Sequence, residues 1–171
     1  MFDLDNVRIG IAKEVDNNVV QREEKYHGMI LYLYEMFDDS PVVYAEKITR
    51  DQVKAYNLSE SKLWETAKNN TFADTKIFGS NTLFPGPNAF YVVTNTSGFL
   101  GASSILNTNE IRKEIGAGKY FVCPSSTHEM LLVPADKFDS IDEVSALVAS
   151  VNAEVVDPAD RLIDEAFILQ V

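Results

Sequence analysis

The chain has one cysteine, Cys123, and two histidines, His27 and His128. A single thiol forms no intrachain disulfide and builds no Cys-rich zinc site. Two imidazoles are too few for an all-histidine metal site within one chain. Basic residues are scarce as well: Lys and Arg total 15 against 26 Asp and Glu, for a net charge of -11. A surface of that sign repels phosphate backbones at long range, which argues against direct nucleic-acid binding. Long apolar runs are missing. No stretch approaches the ~18 apolar residues that cross a bilayer, and the longest candidate, Met29 to Tyr34, is strand-sized. The opening MFDLDNVRIG lacks a basic region followed by an apolar core, so the expectation is a soluble, cytoplasmic protein with no membrane contact. Neither G-x-x-x-x-G-K-[ST] nor G-x-G-x-x-G occurs, so no phosphate loop or dinucleotide fingerprint is present and no cofactor is expected.

What is present reads as one globular domain. Of 171 residues, 46% are hydrophobic and 24% charged, enough for a real core without staples. Val7, Ile9 and Ile11 alternate as in a short strand. Strand-like stretches follow at 26–34 and 41–46, joined by DDSP, a link too short for a crossover helix, so antiparallel pairing is expected. Further strands are expected at 89–94, 119–124, 129–134 and 166–169.

Four helix starts carry cap chemistry. Thr49 is answered by Gln52, with Ile48 and Val53 as a hydrophobic staple. Ser59 has Leu58 and Leu63 around it, and Asn107 has Glu110, with Gly116 closing that helix. Ser140 has Glu143, and the helix after it shows Ile141, Val144, Leu147, Val148 and Val151 on one face. The expected fold class is α+β: a single domain over 1–171 with a mostly antiparallel sheet of about five or six strands, about four helices packed on it, and residues 1–25 as a peripheral N-terminal segment.

From Ile77 to Asn109 there is no Asp, Glu, Lys or Arg. In so acidic a chain, this piece either crosses the core or, through NTSGFLGASS, lines a neutral pocket or contact face. The acid is concentrated elsewhere. Glu129 to Val171 holds ten carboxylates and two basic residues.

The one dense polar constellation between apolar strands is Ser125, Ser126, His128 and Glu129. A serine nucleophile needs a base within hydrogen-bond reach and a third group to orient that base. Neighbouring side chains on an extended strand diverge, and no G-x-S-x-G elbow is present. The favoured reading is a turn held by serine hydrogen bonds, with His128 fastening a loop or helix end. The alternative is a small hydrolase or transferase using Ser126 and His128. No metal site is expected, since Leu132 stands where the second histidine of H-E-x-x-H would be. Cys123 reads as a buried thiol and Trp64 as packing. The pairs Asp38-Asp39, Asp142-Glu143 and Asp164-Glu165 read as solvated carboxylates.

The segment PSSTHEMLLVP at 124–134 resembles the uncharacterised domain of unknown function 5688 family. So do IRKEIGAGKYFVC before it and VNAEVVDPADRLID after it. The family pattern of a strand, P-S-S-x-H-E, an apolar strand ending in Pro, a helix ending in V-N and a P-x-x-x-L-x-D-like tail falls on Pro124, Ser125, Ser126, His128, Glu129, Pro134, Val151, Asn152, Pro158, Leu162 and Asp164. VTNTSGFLGASSIL resembles its middle segment on Thr94, Asn95, Gly101, Ala102 and Leu106. A weaker resemblance runs over about 27–70. The family is associated with Gram-positive anaerobes and their mobile elements, and the resemblance implies no reaction. With no cofactor loop or metal cluster, the expected function is that of an acidic, non-enzymatic protein-interaction protein with a basic partner. In a mobile-element setting that means an accessory or anti-defence factor that shields or mimics nucleic acid. A structural subunit of an assembly is the third reading.

Overall fold

In the computed structural model, which describes residues 2–171, β1 (Val7–Ala12), β2 (Ile30–Asp39) and β3 (Val42–Lys47) form an antiparallel sheet in the order β1-β2-β3. Period-two alternation sorts its side chains. Val7, Ile9 and Leu33 face α2 (Glu60–Ala73), where they meet Leu63, Trp64 and Ala67. Tyr32 and Tyr34 face the other way, beside Ala12, Ala45 and Leu100. Gly10 pairs with Tyr32, and a β-carbon there would lie 2.7 Å from the Tyr32 hydroxyl. The missing side chain lets the phenol ring lie across β1.

The second sheet takes β4 (Thr75–Gly79), β5 (Tyr91–Asn95), β6 (Lys119–Cys123), β7 (Met130–Pro134) and β8 (Phe167–Gln170) in the order β4-β5-β7-β6-β8, antiparallel throughout. One face, with Val93, Val122, Met130 and Leu132, builds the main core against Ile105 and Ile111, and Ile11 of the first sheet and Met29, just before β2, reach into it. The opposite face presents Phe121, Cys123 and Leu131 to α4 (Ile141–Val155), which packs on it through Val144 and Val148. The short α1 (Arg50–Ala55) precedes α2, and α3 (Thr108–Ile115) precedes β6.

The class is α+β, and the strands divide between two sheets instead of sharing one. The reason lies at both ends of the 30–47 hairpin. β1 occupies the free edge of β2, completing a local sheet, and α1 and α2 then carry the chain away before β4 begins. The strand count is eight, above the five or six expected, because all seven strand-like stretches form strands and β4 adds one that TKIFG does not advertise. Residues 1–25 supply β1 and the buried Val19 and Val20, so this segment is part of the core and not peripheral. The strand-like stretch at 26–34 becomes strand only from Ile30. Tyr26 to Met29 form a tight turn, with His27 and Gly28 at φ 48° and 85°. Gly28 is at home there, whereas His27 carries a modest steric cost.

All four cap residues act as caps. Thr49 and Gln52 form the reciprocal box, and the Ser59, Asn107 and Ser140 side chains each accept from a backbone N–H in the first turn.

Candidate functional site

Three loops meet where the two sheets abut: residues 96–100 after β5, the 124–129 turn between β6 and β7, and the 156–166 link between α4 and β8. Each is closed by its own side chains. Asn95 ties the first loop at both ends, its Oδ1 accepting from Phe99 N at 3.2 Å and its Nδ2 donating to Phe99 O at 2.8 Å. In the second loop Ser126 Oγ accepts from His128 N at 3.1 Å, a local serine turn. The third is held by Arg161, whose Nε and Nη2 donate to the Val156 and Ala153 carbonyls at the end of α4.

His128 joins the three. Its Nδ1 accepts the backbone N–H of Leu100 at 3.1 Å, its carbonyl accepts from Thr94 Oγ1 at 2.8 Å, and its Nε2 lies 3.3 Å from Asp160 Oδ2. Thr127 seals the junction by donating to Asp160 twice, N to O at 2.9 Å and Oγ1 to Oδ1 at 3.2 Å. Asn152, on the buried face of α4, donates to Pro124 O at 3.4 Å and Asp164 Oδ1 at 3.2 Å. Leu100 is held at φ 51°, a left-handed conformation that a branched side chain adopts only under constraint.

The candidate residues therefore part company. Ser126 and His128 are neighbours through backbone, not through the ring. With Nδ1 occupied by a donor, the proton of the neutral imidazole sits on Nε2, which faces Asp160. No ring nitrogen is free beside the Ser126 hydroxyl. Ser125 points elsewhere and lines an apolar groove under α4. Glu129 offers its carbonyl to Ser126 N at 3.2 Å. The partner of His128 is Asp160, from the link between α4 and β8. Among the described residues, no group of three or more His, Cys, Asp or Glu is placed to hold a metal ion. Among them, too, no helix is long and apolar enough to cross a membrane.

Replacing His128 by Ala is expected to lower stability by about 1–3 kcal/mol, because it strands the Leu100 N–H in a half-buried setting. Denaturant titration measures this. A wild-type midpoint would mean that the ring does not hold the loops.

Two hollows flank the knot. The groove under α4 has a volume of roughly 670 Å³ and is walled by Phe90, Cys123, Leu131, Val133, Leu147 and Val151. Burial pushes the Cys123 thiol up to about 11, so it stays protonated and unreactive near neutrality. The second hollow, roughly 470 Å³, lies between the sheets and is lined by Tyr32, Tyr34, Lys47, Leu100, Asp160 and Arg161, among others. The sequence gives no hint of it, because Tyr32 and Tyr34 sit inside an apolar run that reads simply as strand.

A family model described as a family of unknown function, DUF5688, matches residues 74–170, more than half of the chain. The match takes in the second sheet, α4 and all three loops of the knot, and the weaker resemblance over 27–70 lies outside it. No curated protein and no solved structure matches.

Proposed function

This chain belongs to the DUF5688 family of unknown function, and we propose that it acts without catalysis, by docking a partner protein that is both apolar and basic. The observation that carries this is the split of α4 into two apolar stripes. Val144, Val148 and Asn152 turn into the protein. Leu147, Val151 and Val155, spaced by four, stay 50%, 41% and 74% exposed. Leu147 and Val151 line the groove, and the loop that gives Phe90 to its wall also carries the exposed Leu83 and Phe84. Contiguous apolar surface of this kind marks an interaction site. Its surroundings are acidic. Asp139, Asp142, Glu143 and Glu154 are exposed around α4, while Lys137 is the one charged residue lining the groove. An amphipathic segment with Leu-like anchors and Lys or Arg flanks fits both features.

The narrower role of an accessory or anti-defence factor that covers the basic surface of a nucleic-acid-binding protein draws on the same acidity. The hydrolase or transferase reading has less support, because His128 and Ser126 lack the base–nucleophile hydrogen bond. A structural subunit would bury the same face against further copies of the chain.

The test compares wild type with Leu147→Glu/Val151→Glu in binding a synthetic Leu/Lys amphipathic helix, and in capture from the source cell. Both side chains are solvent-facing, so melting should be unchanged. Binding should be lost in the variant, and in wild type it should weaken at about 0.5 M salt, where exposed charges are screened. Self-association abolished by the variant would favour the subunit reading. Serine-dependent turnover in a hydrolase screen, with no loss of binding in the variant, would overturn the proposal.

A further inference from the structure

The hollow between the sheets carries a separate inference, independent of the docking face. Tyr32 and Tyr34 are 2% and 1% exposed and both line it. Among the described residues neither hydroxyl has a hydrogen-bond partner, whereas the Tyr120 hydroxyl donates to the Ile115 carbonyl at 3.0 Å. The rings are buried while the hydroxyl tips stay within reach of solvent, since the one fully buried unpartnered side-chain oxygen among the described residues is Ser104 Oγ, so the two phenols offer the cavity two uncommitted donors. Lys47 stands on the same wall, its Nζ 5.5 Å from the centre of the Tyr32 ring. This side of the cavity, built on β2 and β3, is a wall of donors.

The facing side is an acceptor. Asp160 is fixed by Thr127 Oγ1 at 3.2 Å and His128 Nε2 at 3.3 Å, and a carboxylate so held keeps lone pairs for one more donor. The charge around the cavity also runs against that of the chain as a whole. Lys13, Lys47 and Arg161 line it against Glu14 and Asp160, a local excess of positive charge in a protein of net charge -11. Burial, with Asp160 nearby, pushes the Tyr32 phenol up to about 12, so it remains a donor at neutral pH.

We propose that this cavity binds a small hydroxy- or amino-carboxylate, whose carboxylate takes the Tyr32 and Tyr34 hydroxyls and Lys47 while its hydroxyl or ammonium donates to Asp160. A volume of roughly 470 Å³ suits a molecule of that size. The knot preorganises the site: His128 holds both Asp160 and the Leu100 backbone that walls the cavity, and Gly10 leaves the room in which the Tyr32 ring lies.

Isothermal titration with the full chain tests this, using serine and glycerate as probes. Acetate lacks the second donor, glycerol lacks the carboxylate, and inorganic phosphate is the competing anion. Serine or glycerate should bind saturably, and acetate and glycerol at least about 10-fold more weakly, the worth of one charged hydrogen bond. Tyr34→Phe and Lys47→Met should each weaken binding about 10-fold or more. Tyr34→Phe should leave the melting temperature of the unliganded protein unchanged or raised, since the hydroxyl makes no hydrogen bond within the protein among the described residues. A lower melting temperature for Tyr34→Phe would mean that the hydroxyl is already satisfied, and would overturn the inference. So would phosphate binding better than either probe, no saturable binding by any probe, or binding indifferent to both substitutions.

Discussion

Gly101→Ala is expected to destabilise the protein by about 3–5 kcal/mol, a large share of the ~5–15 kcal/mol that holds a domain folded. The effect is steric, since Gly101 is not among the positive-φ residues. A β-carbon at this position would lie 2.5 Å from Asn95 N and 2.8 Å from His128 O, and would collide with Thr94 Oγ1. None of these atoms is the loose end of a flexible side chain. Asn95 N belongs to β5, His128 O accepts from Thr94 Oγ1, and Thr94 Oγ1 is held by that same bond. Relief therefore means pulling the 94–101 segment off the 124–129 turn. Overpacking of this kind costs about 1–3 kcal/mol. Stretching the Thr94–His128 and Leu100–His128 bonds adds about 1 kcal/mol each. At about 2–4 °C per kcal/mol for a chain of this length, the melting temperature should fall by roughly 10 °C. Gly98→Ala is the control. Gly98 sits at φ 68° with nothing within 4 Å of its would-be β-carbon, so only the conformational penalty of about 1 kcal/mol applies. Equal melting of the two variants would show that the loop is not clamped on His128.

The same knot shows what was legible in the sequence. Cap chemistry is local, so Thr49, Ser59, Asn107 and Ser140 announced their helices within three residues. The apolar face of α4 was equally visible. Its width was legible, but which half the sheet would cover was not, because that depends on where α4 crosses β6 and β7. The division into two sheets was hidden for a similar reason. Pairing of β1 with β2 and of β4 with β5 joins segments whose spacing carries no register signal, and TKIFG has too few alternating positions to stand out. Within the knot, the Ser126 turn needs only neighbours and could be read. The ring of His128 is satisfied by Leu100, 28 positions earlier, and Asp160, 32 positions later, and no periodicity encodes such pairs. Period two does put Tyr32 and Tyr34 opposite Leu31 and Leu33. Whether that face meets solvent, core or a cavity depends on the second sheet.

Alkaline pH should unfold this protein abruptly, and the sign follows from where its phenols and thiol lie. Burial pushes Tyr26 and Tyr32 up to about 12 from the usual 10 and Cys123 up to about 11 from the usual 9; in Tyr32 the charge of Asp160 adds to the effect. Tyr34 is raised as well, first by burial and then by its neighbour Tyr32, with Asp74 adding and Arg8 opposing. In each case the folded chain keeps a proton that the unfolded chain releases. Stability is therefore untouched below about pH 9 and falls as pH rises above the unfolded values, first for Cys123 and then for the three tyrosines, until the folded values are passed. A rise of two pH units is worth about 2.7 kcal/mol per group. Four such groups remove on the order of 10 kcal/mol by about pH 12, comparable with the whole stability of a domain. Circular dichroism and phenolate absorbance should therefore change together, in one cooperative step between about pH 10 and 12. Tyr34→Phe removes one of the four groups and should move that step to higher pH. Secondary structure that persists unchanged through pH 12, or a Tyr34→Phe transition at the wild-type pH, would contradict the burial of these side chains.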